Sequence, residues 1–254
     1  MRRWKQLGHR ALNRFGVDLV RIQNLHDTLG KHLTNVLAAK QIDCVIDVGA
    51  NTGQYGKFLR GLGYKGRIVS FEPVKSVFDG LQKHCSKDPL WTCHNLALGN
   101  RTEERMLNVY SSTVFSSLHA ANAYSKEIWR SLEDVVPERV QVVRLDEVFN
   151  GMVAQLGSRR PFLKLDTQGH DQQVFDGAAG CLDHIQALQS ELSLIPIYEN
   201  TPPAHEVLKG FNDAGFFVSG MYPINREDSM AVIEYDCVFV RRSQIGPAPD
   251  AHAS

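Results

Sequence analysis

The chain has 254 residues, 43% of them hydrophobic, which suffices for one sizeable α/β domain with appendages but not for two full domains. Lysine plus arginine equals aspartate plus glutamate at 28 each, so the summed charge does not attract a polyanion, and we expect no nucleic-acid partner. No run approaches the ~18 apolar residues of a membrane-spanning helix, and five cysteines without a C-x-x-C pair favour a reducing cytoplasm.

Residues 1–17, MRRWKQLGHRALNRFGV, carry five basic residues and no acid. Trp4, Leu7, Ala11 and Phe15 recur at helical spacing, which predicts a basic amphipathic helix. Such a helix can attach to the anionic inner face of a membrane or to a lipid-bearing substrate. It can also dock on the domain and keep its cations in water, and both alternatives stay open. We assign residues 1–41 to an amino-terminal helical extension.

From residue 31 the apolar pattern alternates between helical and strand periods, in the manner of βαβ units. It predicts helices at 31–40, 53–62 and 75–84 and strands at 44–48, 67–71 and 91–94. Alternation of this kind implies a parallel sheet with right-handed crossovers.

Residues 103–110 and 139–144 predict an added strand pair, and the segment between them is irregular and then helical. The main pattern then predicts strands at 161–166 and 185–191, helices at 171–180 and 204–214, and closing strands near 216–221 and 231–240. Residues 243–254 are small, polar and proline-containing, and we expect a disordered tail.

The stretch VIDVGANTGQYGKF (45–58) places a glycine-spaced loop between a predicted strand and a predicted helix. Ligands of doubly wound sheets lie outside the carboxyl ends of the strands, where this loop is expected. Gly49 and Gly53 allow the backbone to approach a ligand, and amides at a helix start favour an anionic group. Asp47 precedes the loop, and Glu72 ends the next strand, where a carboxylate can accept hydrogen bonds from both hydroxyls of a ribose. The pattern indicates an adenosine-containing ligand.

Two other nucleotide motifs fit this loop less well. The spacing lacks the third glycine of the G-x-G-x-x-G dinucleotide fingerprint, which weakens the case for a nicotinamide cofactor. A phosphate-binding P-loop is excluded because no Gly-Lys-Ser/Thr follows.

Several stretches, in order along the chain, resemble the FkbM-type S-adenosylmethionine-dependent O-methyltransferases: VIDVGANTGQYGKFLR, GRIVSFEP, NLALGN, FSSL, LKLDTQGHDQQVFDGA and DCVFVRR. The resemblance covers residues 42–242. It implies an α/β class I methyltransferase fold, a Rossmann-like doubly wound sheet of seven mostly parallel strands with one antiparallel strand near the edge. It also implies methyl transfer to a hydroxyl of a sugar, in a glycolipid or secondary-metabolite pathway.

The resemblance further implies which residues bind S-adenosylmethionine. They match a methionine-side loop, a ribose acid and an adenine-side wall within residues 95–98. These candidates are Asp47, Gly49, Asn51, Gly53, Glu72, Asn95 and Ala97.

LKLDTQGHD supplies the catalytic candidates. Asp166 ends the fourth parallel strand beside the first, so it is expected to face the acceptor. Transfer to an alcohol requires removal of the hydroxyl proton, and His170 is the best-placed base because an ordinary histidine pKa near 6.5 suits neutral pH. A second route uses Asp166, Asp171 and Glu191 to hold a divalent cation such as magnesium.

Ser117 in FSSL and Tyr198 in PIYENTPP are the candidate substrate contacts, although paired serines are also common turn residues. The leading hypothesis is an O-methyltransferase acting on a saccharide or a glycolipid. The alternatives are an NAD(P)-dependent oxidoreductase on a Rossmann fold and a catalytically inactive methyltransferase-like binding subunit. The sequence leaves the acceptor and the oligomeric state open.

Overall fold

The computed structural model describes residues 28–242 except 112, 130, 131 and 133. The predictions for residues 1–17 and 243–254 therefore lie outside the described residues. Within this range the helices are α1 (Leu29–Ala39), α2 (Gln54–Gly61), α3 (Lys75–Cys85), α4 (Ala123–Ile128), α5 (Leu145–Leu156), α6 (Asp171–Asp176) and α7 (Ala204–Asp213). None of these described helices is long and apolar enough to cross a membrane.

The strands in the same range build one large sheet and one small one. They are β1 (Cys44–Val48), β2 (Arg67–Phe71), β3 (Trp91–His94), β4 (Ala97–Leu98), β5 (Glu103–Tyr110), β6 (Val135–Val143), β7 (Pro161–Leu165), β8 (Ala187–Ser193), β9 (Phe216–Arg226) and β10 (Val232–Arg241). The large sheet has seven strands in the order β3-β2-β1-β7-β8-β10-β9. Six of these strands run in one direction, and β10 runs in the opposite direction. The predicted class I methyltransferase arrangement is confirmed.

One face of the large sheet packs against α5, α6 and α7. Every residue of β1 and β7 is buried, as expected of strands covered on both faces. Ile46, Leu163 and Leu188 are register neighbours on this face and belong to one cluster with Phe149 of α5 and Phe211 of α7. Burying each such side chain contributes about 1.5–3 kcal/mol. This face holds the larger core.

The opposite face is apolar in its amino-terminal half and polar in its carboxyl-terminal half. The apolar residues pack against α1, α2 and α3, and four register neighbours among them are Ile68, Val45, Phe162 and Ala187. Two residues further along the same strands lie Ser70, Asp47, Lys164 and Gln189, which are also register neighbours and are all buried. Side chains alternate along a strand, so both sets share one face. We call these four residues the polar row.

The small sheet lies within residues 97–143, and we call residues 103–144, which contain the added strand pair and the segment between its strands, the insertion. In the small sheet β6 pairs antiparallel with β5 and parallel with β4. The predicted strand pair is confirmed, although β6 begins at Val135, four residues before the predicted start. The helical part of the insertion is α4.

Two helices differ from the sequence pattern. Helix α5 is not among the helices predicted from the sequence. The helix predicted at 171–180 is too long, because α6 ends at Asp176. At Gly177 a Cβ would lie 1.9 Å from the carbonyl oxygen of Gly99, so the chain leaves the helix where two backbones meet.

Gly49 and Gly63 form a matched pair for testing the loop after β1. Both have left-handed φ angles, 77° and 90°, but a Cβ on Gly49 would lie 1.9 Å from the carbonyl oxygen of Asp166, whereas one on Gly63 meets nothing within 4 Å. We expect Gly63→Ala to lower the free energy of unfolding by about 1–2 kcal/mol, and Gly49→Ala by at least about 2 kcal/mol more because of the clash. Urea denaturation measures both, and equal losses would contradict the backbone contact.

Candidate functional site

A cavity of about 410 Å³ lies at the carboxyl ends of β1, β2, β7 and β8 and beside the amino-terminal half of the antiparallel strand β10. Its volume falls in the range of small-molecule sites. Its wall combines the loop after β1, the polar ends of the central strands, and the segment 113–118 of the insertion. The cavity occupies the position at which doubly wound sheets bind ligands.

Left-handed backbone conformations shape the loop between β1 and α2. Gly49, Asn51 and Gly53 have φ angles of 77°, 47° and 84°. Glycine adopts such angles without steric cost, and asparagine tolerates them better than most residues. The turn directs the backbone amide of Asn51 to the Glu72 carboxylate, at 2.9 Å. The loop and the end of β2 are therefore joined at the cavity wall.

Glu72 is only 6% exposed. One carboxylate oxygen accepts from the amide of Asn51 and the other from the amide of Val74, each at 2.9 Å. Burial raises the pKa of Glu72 to about 7 in spite of these two hydrogen bonds. The side chain thus lines the cavity as a carboxyl group that changes its charge near neutral pH.

The wall beyond Glu72 is apolar. Ala97 lines it, whereas Asn95 lies behind it and donates to the carbonyl oxygens of Glu72 and Pro73, at 2.9 and 2.8 Å. The other apolar residues at this end are Phe71, Val74, Leu96, Leu98, Leu107 and Leu118. An apolar end next to a carboxylate suits a nucleoside, whose base is flat and whose ribose carries hydroxyls.

Lys164 is the buried cation beneath the centre of the cavity. Its Nζ lies 2.9 Å from Asp166 Oδ2 and 3.5 Å from Asp47 Oδ1. Burial acts to lower the pKa of Lys164, but the two carboxylates outweigh it and hold that pKa above its ordinary value. Burial also acts to raise the pKa of Asp166, and Lys164 reverses the effect and holds it below the ordinary range. Asp166 therefore presents an ionised carboxylate to the cavity.

Asp47 supports this arrangement from below and does not line the cavity. It is fully buried and accepts a hydrogen bond from Ser70 Oγ at 3.0 Å. Desolvation raises its pKa, and the nearby Lys164 opposes that effect. The sequence assigned Asp47 to direct cofactor binding, whereas the structure places it as a partner of Lys164.

Gln168 ties the carboxylates together. It has a left-handed φ of 54°, and its Nε2 donates to Asp166 Oδ1 at 2.9 Å and to Glu191 Oε2 at 3.2 Å. Its Oε1 lies 2.9 Å from the hydroxyl of Tyr198, and its carbonyl oxygen accepts from Ser117 Oγ at 2.6 Å. The predicted substrate contacts Tyr198 and Ser117 therefore anchor Gln168, and only Ser117 lines the cavity.

His170 lines the cavity but is buried rather than exposed at the start of a helix. Its Nδ1 lies 3.1 Å from Nε2 of His119. Burial, with contributions from His119 and Arg105, lowers the pKa of His170 to about 3. At neutral pH it is an uncharged and weakly basic side chain, which does not favour the base role that the sequence suggested.

The structure does not bring the predicted metal ligands Asp166, Asp171 and Glu191 together as one set. Asp171 Oδ1 accepts from the amide and the hydroxyl of Thr167, and its Oδ2 accepts from Ser190 Oγ and the amide of Glu191. It lies behind the cavity wall and holds the loop after β7. Across residues 28–242, apart from the four exceptions, no group of three histidine, cysteine or acidic side chains has the arrangement of a metal site.

The far end of the cavity is formed by residues that the sequence did not identify, apart from Glu191. Gln189 accepts from the Tyr55 hydroxyl at 2.9 Å and donates to Asp236 Oδ1 at 2.8 Å. Burial raises the pKa of Glu191 and of Asp236, and their acidic neighbours add to the effect. We call this end, lined by Tyr55, Phe58, Gln189, Glu191 and Asp236, the β8–β10 lobe.

The predicted site residues thus divide into two groups. Those that line the cavity are Gly49, Asn51, Glu72, Ala97, Ser117, Asp166, His170 and Glu191. Those that do not line it are Asp47, Gly53, Asn95, Asp171 and Tyr198.

Similarity to solved structures is remote. Methyltransferase FkbM from Methylobacillus flagellatus KT is 15% identical, with a TM-score of 0.46 over 77% of this chain and 43% of that one. An rRNA methylase from Streptococcus thermophilus is 10% identical, with a TM-score of 0.46 over 86% and 100%. Magnesium protoporphyrin IX methyltransferase from Synechocystis PCC 6803, solved with bound S-adenosylmethionine, is 10% identical, with a TM-score of 0.45 over 87% and 88%. This chain spans less than half of the Methylobacillus protein.

Similarity at the level of sequence families is more informative. No curated protein matches the chain. The family model of the methyltransferase FkbM domain matches residues 47–218, a range that begins at Asp47 beneath the cavity and ends in β9. The match spans more than half of the chain, so the chain belongs to the FkbM methyltransferase family.

Proposed function

We propose that this protein is an S-adenosylmethionine-dependent O-methyltransferase that acts on a hydroxyl of a sugar, in a glycolipid or secondary-metabolite pathway. Family membership supports methyl transfer. The observation that carries the proposal is one continuous cavity that joins Glu72 to Asp166. Its first end offers a carboxylate to a ribose, and its centre offers an ionised carboxylate to a cation and to an acceptor hydroxyl.

Two observations support the fit between the described residues and the cofactor. Ser116 lines the cavity, and its buried Oγ has no hydrogen-bond partner among the described residues, so it is available to a ligand. Glu72 stands between a glycine loop and an apolar wall, the surroundings that a nucleoside requires. We assign the cofactor to Gly49, Asn51, Glu72 and Ala97. When bound, it supplies a methyl group on a positively charged sulfur.

Asp166 is the residue that we place at the reacting centre. Both members of its ion pair with Lys164 line the cavity, but the Asp166 side chain is 39% exposed and that of Lys164 only 5%, so the carboxylate is the more accessible member. An ionised carboxylate there attracts a cation and orients an acceptor hydroxyl for in-line approach. Removal of the hydroxyl proton falls to Glu191, because burial raises the pKa of that carboxyl group, whereas His170 and Asp166 bind protons too weakly.

A glycolipid acceptor and membrane contact through residues 1–17 stay predictions. The basic amphipathic segment lies outside the described residues, and the cavity itself does not discriminate a free sugar from a lipid-linked one.

Calorimetry of the full chain with S-adenosylmethionine, S-adenosylhomocysteine and NAD tests the cofactor. We expect both adenosyl ligands to bind and NAD not to bind; binding of NAD alone would overturn the proposal. Affinity for S-adenosylhomocysteine should rise with pH between about 6 and 8, because the ribose requires the charged form of Glu72, whose pKa of about 7 leaves it mostly protonated at the lower end of that range. Glu72→Gln should weaken binding about 10- to 100-fold and remove this pH dependence, and a persisting dependence would reject the ribose role.

The placement of Asp166 beside the positively charged sulfur of S-adenosylmethionine can be tested without a known acceptor. Asp166→Asn removes the carboxylate charge at nearly constant shape. It should therefore weaken the binding of S-adenosylmethionine about tenfold more than that of the uncharged thioether S-adenosylhomocysteine. Asp176→Asn, at the carboxyl end of α6 and outside the cavity wall, is the control and should affect neither ligand. Equal losses for the two ligands in Asp166→Asn would contradict the placement of the reactive sulfur beside Asp166.

A further inference from the structure

The β8–β10 lobe is separated from the nucleoside end by the order of the strands. Glu72 follows β2, whereas Gln189, Glu191 and Asp236 lie on β8 and β10, on the other side of β1 and β7. Adjacent strands are about 4.8 Å apart, so β2 and β10 are about 19 Å apart across the sheet. A ligand held by Glu72 and the glycine loop therefore leaves the lobe for a second molecule.

Free hydrogen-bond acceptors dominate the floor of the lobe. Glu191 and Asp236 are directly opposite each other in the register of β8 and β10. Gln168 occupies Glu191 Oε2 and Gln189 occupies Asp236 Oδ1, while the other oxygen of each carboxylate has no hydrogen-bond partner among the described residues. An ionised carboxylate only accepts hydrogen bonds, so at a pH where both groups are ionised the complementary ligand presents adjacent donors such as hydroxyl or ammonium groups.

The charge of the lobe disfavours anions. Lys164 is the one lysine or arginine among the described residues that line the cavity, and its ammonium group is already held by Asp166 and Asp47. Asp171 and Glu234 add to the negative charge around Glu191. An anionic group that enters the lobe would approach several carboxylates. Among the described residues that line the cavity, it would meet no lysine or arginine that is not already held in an ion pair.

The opposite wall of the lobe is aromatic. Tyr55 and Phe58 of α2 have ring centroids 6.3 Å apart, and the Phe58 side chain remains 39% exposed. Leu29, at the start of α1, lines the cavity beside them. This wall offers an apolar surface opposite a floor of acceptors, which suits a ring with hydroxyls on its edge and C–H groups on its face.

We propose that the β8–β10 lobe is the acceptor subsite, with Asp236 and Phe58 as specificity-determining residues, and that it selects neutral or cationic polyhydroxylated rings over anionic ones. The inference rests on the proposed function, since it names the acceptor class of the same site. It also moves the acceptor away from Tyr198 and Ser117, where the sequence placed it.

Saturation-transfer NMR on the full chain with bound S-adenosylhomocysteine tests this selectivity at about pH 8, where more of the carboxyl groups are ionised. The probes are methyl β-D-glucopyranoside, D-glucosamine and D-glucuronate. We expect the glucoside and glucosamine to bind and glucuronate to bind at least about tenfold more weakly. Glucuronate binding as tight as that of the glucoside, or binding of none of the three, would overturn the proposal.

Two variants test whether Asp236 and Phe58 cause this selectivity and binding. Asp236→Asn should reduce the discrimination against glucuronate. Phe58→Ala, at an exposed position, should weaken the binding of the glucoside several-fold. The matched control is Asp79→Asn, on α3, whose side chain is 51% exposed and paired with Lys75, and it should change neither quantity. Unchanged discrimination in Asp236→Asn or unchanged glucoside binding in Phe58→Ala contradicts the subsite.

The same samples distinguish this inference from the proposed function. All variants should retain the wild-type affinity for S-adenosylhomocysteine, which also verifies that they fold. Failure of the wild type to bind S-adenosylhomocysteine counts against the proposed function, whereas a wrong sugar selectivity with intact S-adenosylhomocysteine binding counts against the subsite alone.

Discussion

The ion pairs of one buried lysine hold the candidate site together. Lys164 lies between Asp47 on the neighbouring strand and Asp166 at the end of its own strand, with almost no exposure to solvent. A buried charge is tolerated only when partners compensate for its lost hydration, and here two carboxylates do so. The consequence is functional: Lys164 holds Asp166 ionised at the cavity, while Asp47, its other partner, stays in the interior.

The polar row explains how one sheet provides both a core and a binding surface. Trp91 Nε1 donates to Ser70 Oγ, which donates to Asp47, and Asp47 faces Lys164. Behind this row the same face is apolar and packs against helices; in front of it lie the strand ends and the cavity. Most of the polar atoms in the row are paired, so burying them is compatible with a stable core. A ligand therefore meets a floor of mostly paired polar groups at the strand ends.

Local patterns were enough to predict the fold and several residues that line the Glu72 end of the cavity, but not its far end. The glycine loop and Glu72 adjoin strand ends and have a recognisable spacing, and even α5 has apolar residues at helical spacing, Leu145, Val148, Phe149 and Met152, that were open to detection. Lys164, Gln189 and Asp236 become neighbours only through sheet register, which the sequence does not display. The low pKa of His170, which does not favour the suggested base role, has a related cause, because its burial depends on packing against the insertion.

We propose one cavity with a nucleoside end at Glu72 and a separate acceptor lobe at Asp236, with Asp166 between them. A crystal structure of the full chain with S-adenosylhomocysteine would test this arrangement. We expect ribose hydroxyls on the Glu72 carboxylate, the thioether sulfur beside Gly49 and Asp166, and no part of the ligand in the β8–β10 lobe. A nucleoside seated in that lobe, or a ribose without contact to Glu72, would contradict it.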